Sequence, residues 1–494
     1  MNDKKYSVSD LLLFNESPFA YWCKTVNNLV EKGKIDESYR IPVTESNLYS
    51  EHFLNKTEAH EVKLKDYYLI QQEKDVVDFS SNSTYAKTLK SIKDKSQVIY
   101  QGSLEGNEFT ARPDFLVLNN DKRYDVVDAK FSKNSKEKYE LQLYCYGYLI
   151  NEIEGYFPDS SYIYLLGNEF VEVQIQDYEE IFSKLKQNFF EFISSFDLNN
   201  PPHPFKNEYA NNEFADQIKK TWLDKKSLEL IGGITYKQVK ELNNSGIHTL
   251  KELSSCEDNP TSISSTSFSK LFKKANALIK SDEAIFFEVN LDNTKDLTDI
   301  KEPENGDIYI DFEWYPYSGE LENFFYLFGY FQINDNQSNF DYLWSDEEDE
   351  EESSLKKFVD YIIEQKQHYP EAKIYHYNHS EKTELLKLCH KYQYKENEVK
   401  EITDNSFVDL LKPIRNSFTM GLTSNSLKEV EKILEIDRLE EVQSGGESMK
   451  YFENFYFEDN WDVKKDIVEY NKQDCENLHT LHQWLISQKQ LLQS

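Results

Sequence analysis

Apolar and polar residues alternate through Ile308-Tyr-Ile-Asp311-Phe-Glu313-Trp314, with Ile308, Ile310 and Phe312 on one side and Tyr309, Asp311 and Glu313 on the other. This period of two predicts a strand that carries both acids on one face. Similar patterns predict strands at 324–333, 340–344 and 373–377, a helix at 353–367, and mainly helix after 377. Earlier in the chain, helices are predicted near 8–32, 46–64, 137–151 and 178–195, with strands at 115–118, 124–131, 162–166 and 170–175. Residues 205–283 are helical in period and lack a convincing strand, and Gly232, Gly233 and Gly246 punctuate them. The breaker cluster Asn199-Asn200-Pro201-Pro202-His203-Pro204 marks a boundary. The reading is an α/β multidomain chain: an α/β domain at 1–200, a small helical module at 201–285, and a second α/β domain at 286–494.

Composition narrows the class. Apolar residues make up 39% of the 494 and aromatics 15%, enough to bury several cores. No apolar run approaches the length of a membrane span and the start leads into no signal-peptide core, so a cytoplasmic protein without membrane contact is expected. Cys23, Cys145, Cys256, Cys389 and Cys475 are scattered without a paired spacing, which implies buried thiols rather than a disulfide frame. The 56 basic and 89 acidic residues give a net charge of −33, which repels a polyanion at long range unless bound cations invert the local field.

Two groups of residues carry candidate chemistry. In Tyr-Asp-Val-Val-Asp128-Ala-Lys130-Phe, Asp128 and Lys130 project from one strand face, and a turn at Asn119-Asn120-Asp121 would bring Asp114 beside Asp128. Two carboxylates and an ammonium suit phosphodiester hydrolysis, because hard oxygens hold Mg²⁺ or Mn²⁺ and the metal activates water. Alone, such a tripeptide is more often a surface ion pair. At the other end, Tyr470 and Asp474 stand four apart on a predicted helix and share its face.

Arg112-Pro-Asp114-Phe-Leu-Val, then Val-Asp128-Ala-Lys130, then Gln142-Leu-Tyr-Cys-Tyr146 resembles the RecB-type branch of the PD-(D/E)xK nucleases. The resemblance implies a restriction-endonuclease-like α/β fold, with metal ligands Asp114 and Asp128, catalytic Lys130, Gln142 and Tyr146, and Arg112 toward nucleic acid. Thr57-Glu-Ala-His60-Glu61 resembles that branch's ligand-bearing helix, implying His60 as a metal ligand with Glu61 as its substitute. Asn15-Glu-Ser-Pro-Phe lacks the early cysteine of relatives that hold an iron-sulfur cluster, so no cluster is expected.

The Asp311-x-Glu313 strand and the late Tyr470-x3-Asp474 together resemble DEDDy-type RNase H-like 3′ to 5′ exonucleases. That resemblance implies metal ligands Asp311, Glu313 and Asp474, and Tyr470 orienting water. A fourth acid would be Glu381, or alternatively Asp409, with Asn378 toward substrate. Trp314 stands where that pattern has a small residue, which predicts a narrowed or impaired site. Leu230-Ile-Gly-Gly233-Ile-Thr through Gly246-Ile247 resembles a helix-hairpin-helix element, implying phosphate contact at Gly233 and Gly246, against a plain helical spacer.

The order of parts resembles a bacterial family of RecB-like nucleases, some of which continue into a helicase; here a helicase, if one is needed, is expected as a separate polypeptide. The expected function is metal-dependent hydrolysis of nucleic acid, DNA rather than RNA, at two acidic sites. The alternatives are a nucleic-acid-binding or complex-forming protein with inactive sites, the second above all, and a phosphatase acting on small molecules.

Overall fold

Short runs of β-branched and aromatic residues build the N-terminal sheet of this computed structural model: β1 Val76–Asp78, β2 Val98–Tyr100, β3 Phe115–Leu118, β4 Tyr124–Ala129, β5 Ser161–Leu165 and β6 Glu169–Glu172. The strands lie in sequence order, with β1–β2 and β4–β5 parallel and the other pairs antiparallel. Alternate residues feed two cores. Leu116, Val126 and Ile163 pack with Leu141, Leu149 and Ile150 of helix α2, Glu137–Glu154. Phe115, Val117 and Val127 pack on the other face with Leu64 of helix α1, Glu51–Asp66. The structure describes residues 5–44, 51–210, 212–281, 284–315, 323–335, 337–436, 438, 448–449, 451–453, 455 and 462–493. The start of the predicted 46–64 helix, at 46–50, therefore lies outside the described residues. The chain divides into two compact units, Met1–Ile218 and Lys219–Ser494.

The predicted helix at 8–32 is two helices, Val8–Glu16 and Pro18–Glu31. Ser17 separates them, its side chain accepting from the Ala20 N–H while Pro18 opens the second helix, where a missing donor costs nothing.

The second unit begins with helical pieces that include α3, Tyr236–Asn244, and α4, Ser265–Lys280. A five-stranded sheet follows, with β7 Ile308–Tyr315, β8 Phe324–Asn334, β9 Gln337–Trp344, β10 Ile374–His376 and β11 Phe407–Asp409 in the spatial order β9-β8-β7-β10-β11. The first three are antiparallel; β10 and β11 run parallel to β7. Helix α5, Glu348–His368, opens inside the acidic run 346–352, where carboxylates suit the positive end of the helix dipole. Its Leu355, Phe358, Val359 and Ile362 cover Ile308, Ile310 and Phe312, together with Leu385 and Leu388 of α6, Ser380–Lys391. The other face carries Tyr309 and Tyr375 against Cys475, Leu478, Leu481 and Leu485 of the long helix α8, Asp462–Gln493. Helix α7, Leu411–Ser417, follows β11, and Phe418–Met420 then pairs antiparallel with Phe287–Val289. No described helix is long and apolar enough to cross a membrane.

Candidate metal centre and nuclease sites

Strand alternation and one long helix assemble the acidic group of the second unit. Asp311 and Glu313 leave β7 on the face that α8 covers, and α8 delivers Asp474 to them. One carboxylate oxygen from each lies within 4.8 Å of the others, with Asp311 half-buried and Glu313 and Asp474 buried. Tyr470, one helical turn before Asp474, bonds to its carboxylate. Trp314 is on the opposite face, packed on Phe325 with 5.3 Å between ring centroids, so it does not narrow the group as predicted.

Two supporting residues escaped the sequence reading. Asn471 donates its amide to Asp311, 2.7 Å to Oδ2 and 3.1 Å to the main-chain oxygen. It fits because Gly329 faces Asp311 across the β7–β8 ladder; a Cβ there would sit 1.6 Å from Asn471 Oδ1. Arg438 pairs with Asp474 and also forks onto Glu431, at 2.7 and 2.6 Å. Burial and the neighbouring acids push the Asp311 carboxyl well above its usual range. Glu313 is pushed up to about 8 by burial and Asp474, despite bonds from Ser448 and Tyr326. Burial raises Asp474 to about 6, with Arg438 opposing.

Glu381 is buried on α6 beside this group, close enough to raise both Asp311 and Glu313, and faces His376 Nδ1 at 3.5 Å. Asp409 instead serves the backbone, its Oδ1 accepting from the N–H groups of Asn378 and Leu411, each at 2.9 Å. Asn378 is exposed at φ +78°, and its side-chain oxygen meets His379.

Residues 308–486 match the family model RNase_H_2, described as RNase_H superfamily. Residues 308–486 form an RNase H-like domain. No curated protein and no solved structure matches the chain. The acids that meet in the RNase H-like domain come from its first strand and its last helix, and they offer oxygen donors alone. Crowded carboxylates that hold one another's protons, with one arginine to offset them, fit a hard divalent cation.

In the first unit, the turn at Asn119 closes as expected: its Oδ1 accepts from the N–H groups of Asp121 and Arg123, and β3 pairs with β4. Asp114 then reaches β4, accepting from the Ala129 N–H at 2.8 Å. Lys130 Nζ lies 2.5 Å from buried Asp128. Burial draws the Lys130 ammonium down, but Asp128 and Asp114 outweigh it and its pKa is raised. Gln101, unremarked in the sequence, bridges Asp114 at 3.1 Å and Glu61 at 2.9 Å. Asp114 is held far above its usual range by burial, Asp128 and Glu61. Glu61 thus joins these acids, whereas His60 stacks on Tyr164 at 4.8 Å between centroids, its Nε2 3.3 Å from the Tyr164 carbonyl oxygen. Gln142 donates to Tyr146 Oη, and that buried phenol is raised by burial and then by Asp128 and Asp114. Arg112 is exposed, and its guanidinium bonds the carbonyls of Phe79, Ser80 and Gln101.

In the helical region Gly233 and Gly246 adopt φ of +81° and +80°, and the Gly246 N–H is spent on the Asn243 carbonyl. Thr235 caps α3, its hydroxyl accepting from the Gln238 N–H.

Proposed function

We propose that the chain is a divalent-metal-dependent nuclease acting on DNA in the cytoplasm, with three parts at 1–200, 201–285 and 286–494. The observation that carries this reading is the meeting of Asp311, Glu313 and Asp474 within the RNase H-like domain. In the proposed mechanism these acids, with Glu381 beside them, hold Mg²⁺ or Mn²⁺. When bound, the metal supplies charge for the phosphorane and lowers the pKa of water. The chain's own groups do the rest. Asn471 fixes the Asp311 carboxylate, and Arg438 offsets the charge of Asp474. Burial keeps the Tyr470 phenol protonated, and with its O–H donated to Asp474 its oxygen would orient a water by accepting a hydrogen bond from it.

A second catalytic centre is proposed in the first unit, on a PD-(D/E)xK-type scaffold. Asp114 and Asp128, with Glu61 in preference to His60, would hold the metal there. The Lys130 ammonium, kept charged by Asp128 and Asp114, would meet charge developing on the phosphate. Gln142 and Tyr146 would set the position of Lys130 and the scissile group.

The test is degradation of labelled single-stranded DNA, duplex DNA and RNA with Mg²⁺ or Mn²⁺ by wild type, Lys130→Ala and Asp311→Ala. Loss in one variant assigns the chemistry to that site; partial loss in each supports two working centres. A binding protein with a silent RNase H-like centre is the second reading, favoured by the Arg438–Asp474 pair, which already gives Asp474 a cationic partner. Calorimetry separates the two, because a silent centre takes up no Mn²⁺ that Asp311→Ala abolishes.

A further inference from the structure

A cavity of about 740 Å³ lies within the second unit, away from the carboxylates. Its wall carries Lys270, Lys273 and Lys274 from α4 and Arg415 from α7, against one acid, Asp292. The whole chain runs the other way, 89 acids to 56 bases. Lys270, Lys273 and Lys274 share a helix face at i, i+3 and i+4, so three ammoniums point into one space. Lys274 is anchored, donating to the Gly232 carbonyl at 2.6 Å. Burial first, and then the nearby Lys270, lower its pKa. Lys270, Lys273 and Arg415 are exposed and form no ion pair among the described residues.

Four cations around a cavity of this size fit the space of about one or two nucleotide units, and charge alone would hold a phosphate chain without reading bases. Helix α7 follows β11, and β11 is two strand spacings, about 10 Å, from β7. We infer that this cavity is a binding site for the phosphodiester backbone of a single strand, holding it a few nucleotides from the end that reaches the Asp311 group. The role in catalysis rests on the nuclease reading; the binding does not.

The test uses the full chain with a chelator, so that nothing is cleaved. Affinity for a fluorescent single-stranded oligonucleotide is followed against salt for wild type and for Lys270→Ala/Lys273→Ala/Arg415→Ala, all three exposed and without ion pairs among the described residues. Each lost phosphate contact on a single strand removes about 0.7 from the slope of log K against log salt, so the triple variant loses about 2 from the slope and binds at least about tenfold more weakly. Equal slopes and affinities overturn the site. Displacement of the oligonucleotide by a deoxynucleoside monophosphate or pyrophosphate at equal concentration overturns the strand assignment in favour of a small-anion site. Cleavage with Mn²⁺ is measured separately. Wild type that binds through the cavity but cleaves nothing sinks the nuclease reading alone; wild type that cleaves while the triple variant binds unchanged sinks the cavity alone.

Discussion

Replacing Gly329 by alanine should cost both stability and activity, although glycine in a strand interior ordinarily weakens a sheet and alanine would be expected to help. The added Cβ would stand 1.6 Å from Asn471 Oδ1, so the amide must leave. Its departure removes one hydrogen bond to a carboxylate and one to a carbonyl, together about 2 to 4 kcal/mol, and repacking adds about 1 to 3 kcal/mol. Metal-free Gly329→Ala should therefore melt on the order of 10 °C lower. Asp311 loses its positioning partner as well, and a carboxylate displaced by about 1 Å costs on the order of 100-fold in turnover. Differential scanning fluorimetry and single-turnover cleavage of a labelled strand measure the two effects. The decisive control is Asn471→Ala, alone and combined with Gly329→Ala. Once the amide is gone the methyl group has room, so the double variant should be no worse than Asn471→Ala. Additive losses, or a Gly329→Ala protein with wild-type melting and turnover, would refute the packing argument.

Arg438→Gln leaves Asp474 and Glu431 buried without their guanidinium, and should destabilise the metal-free protein by about 3 to 5 kcal/mol, with millimolar Mn²⁺ recovering part of the loss; equal losses with and without metal in thermal unfolding would count against a cation site at Asp474. Glu313, raised to about 8, and Asp474, raised to about 6, must release protons to a cation, so the Mn²⁺-induced rise in melting temperature should grow from pH 6 to pH 8 and vanish in Asp311→Asn; a pH-independent rise would contradict this. Burial lowers His482 to about 4, its Nδ1 facing Tyr309 Oη and its Nε2 the Lys301 carbonyl. A depressed histidine makes the unfolded chain bind more protons, so stability should fall as pH drops from about 6.5 to about 4, by up to about 3 kcal/mol, and His482→Asn should flatten that part of the urea-denaturation profile.

The long, alternating strands around Asp311 and the i, i+4 pair Tyr470 and Asp474 were legible in the sequence because each pattern spans several residues of one element. Strands of three residues, such as Val76–Asp78, Val98–Tyr100 and Phe407–Asp409, are too short for alternation to show, and they form because neighbouring strands offer ladders. Asn471 was illegible for a different reason: its role depends on the register that sets Gly329 opposite Asp311. Arg438 reaches Asp474 across 36 positions, a relation that no local spacing encodes. Gln101 is similar, joining Glu61 to Asp114 from the end of a short strand, in the left-handed region at φ +56°.

Asp311 and Asn471, which hold one another, stand 160 positions apart. At about 5 to 20 residues per second of synthesis, roughly ten to thirty seconds separate the appearance of the first acids from that of the helix that completes the group. For that interval a growing chain has Asp311 and Glu313 but no Asp474, and so no assembled centre. In the nuclease reading the RNase H-like centre therefore begins to act only once α8 has been made and docked, whereas the residues proposed for the first unit's centre, Asp114 to Tyr146, are all made well before it.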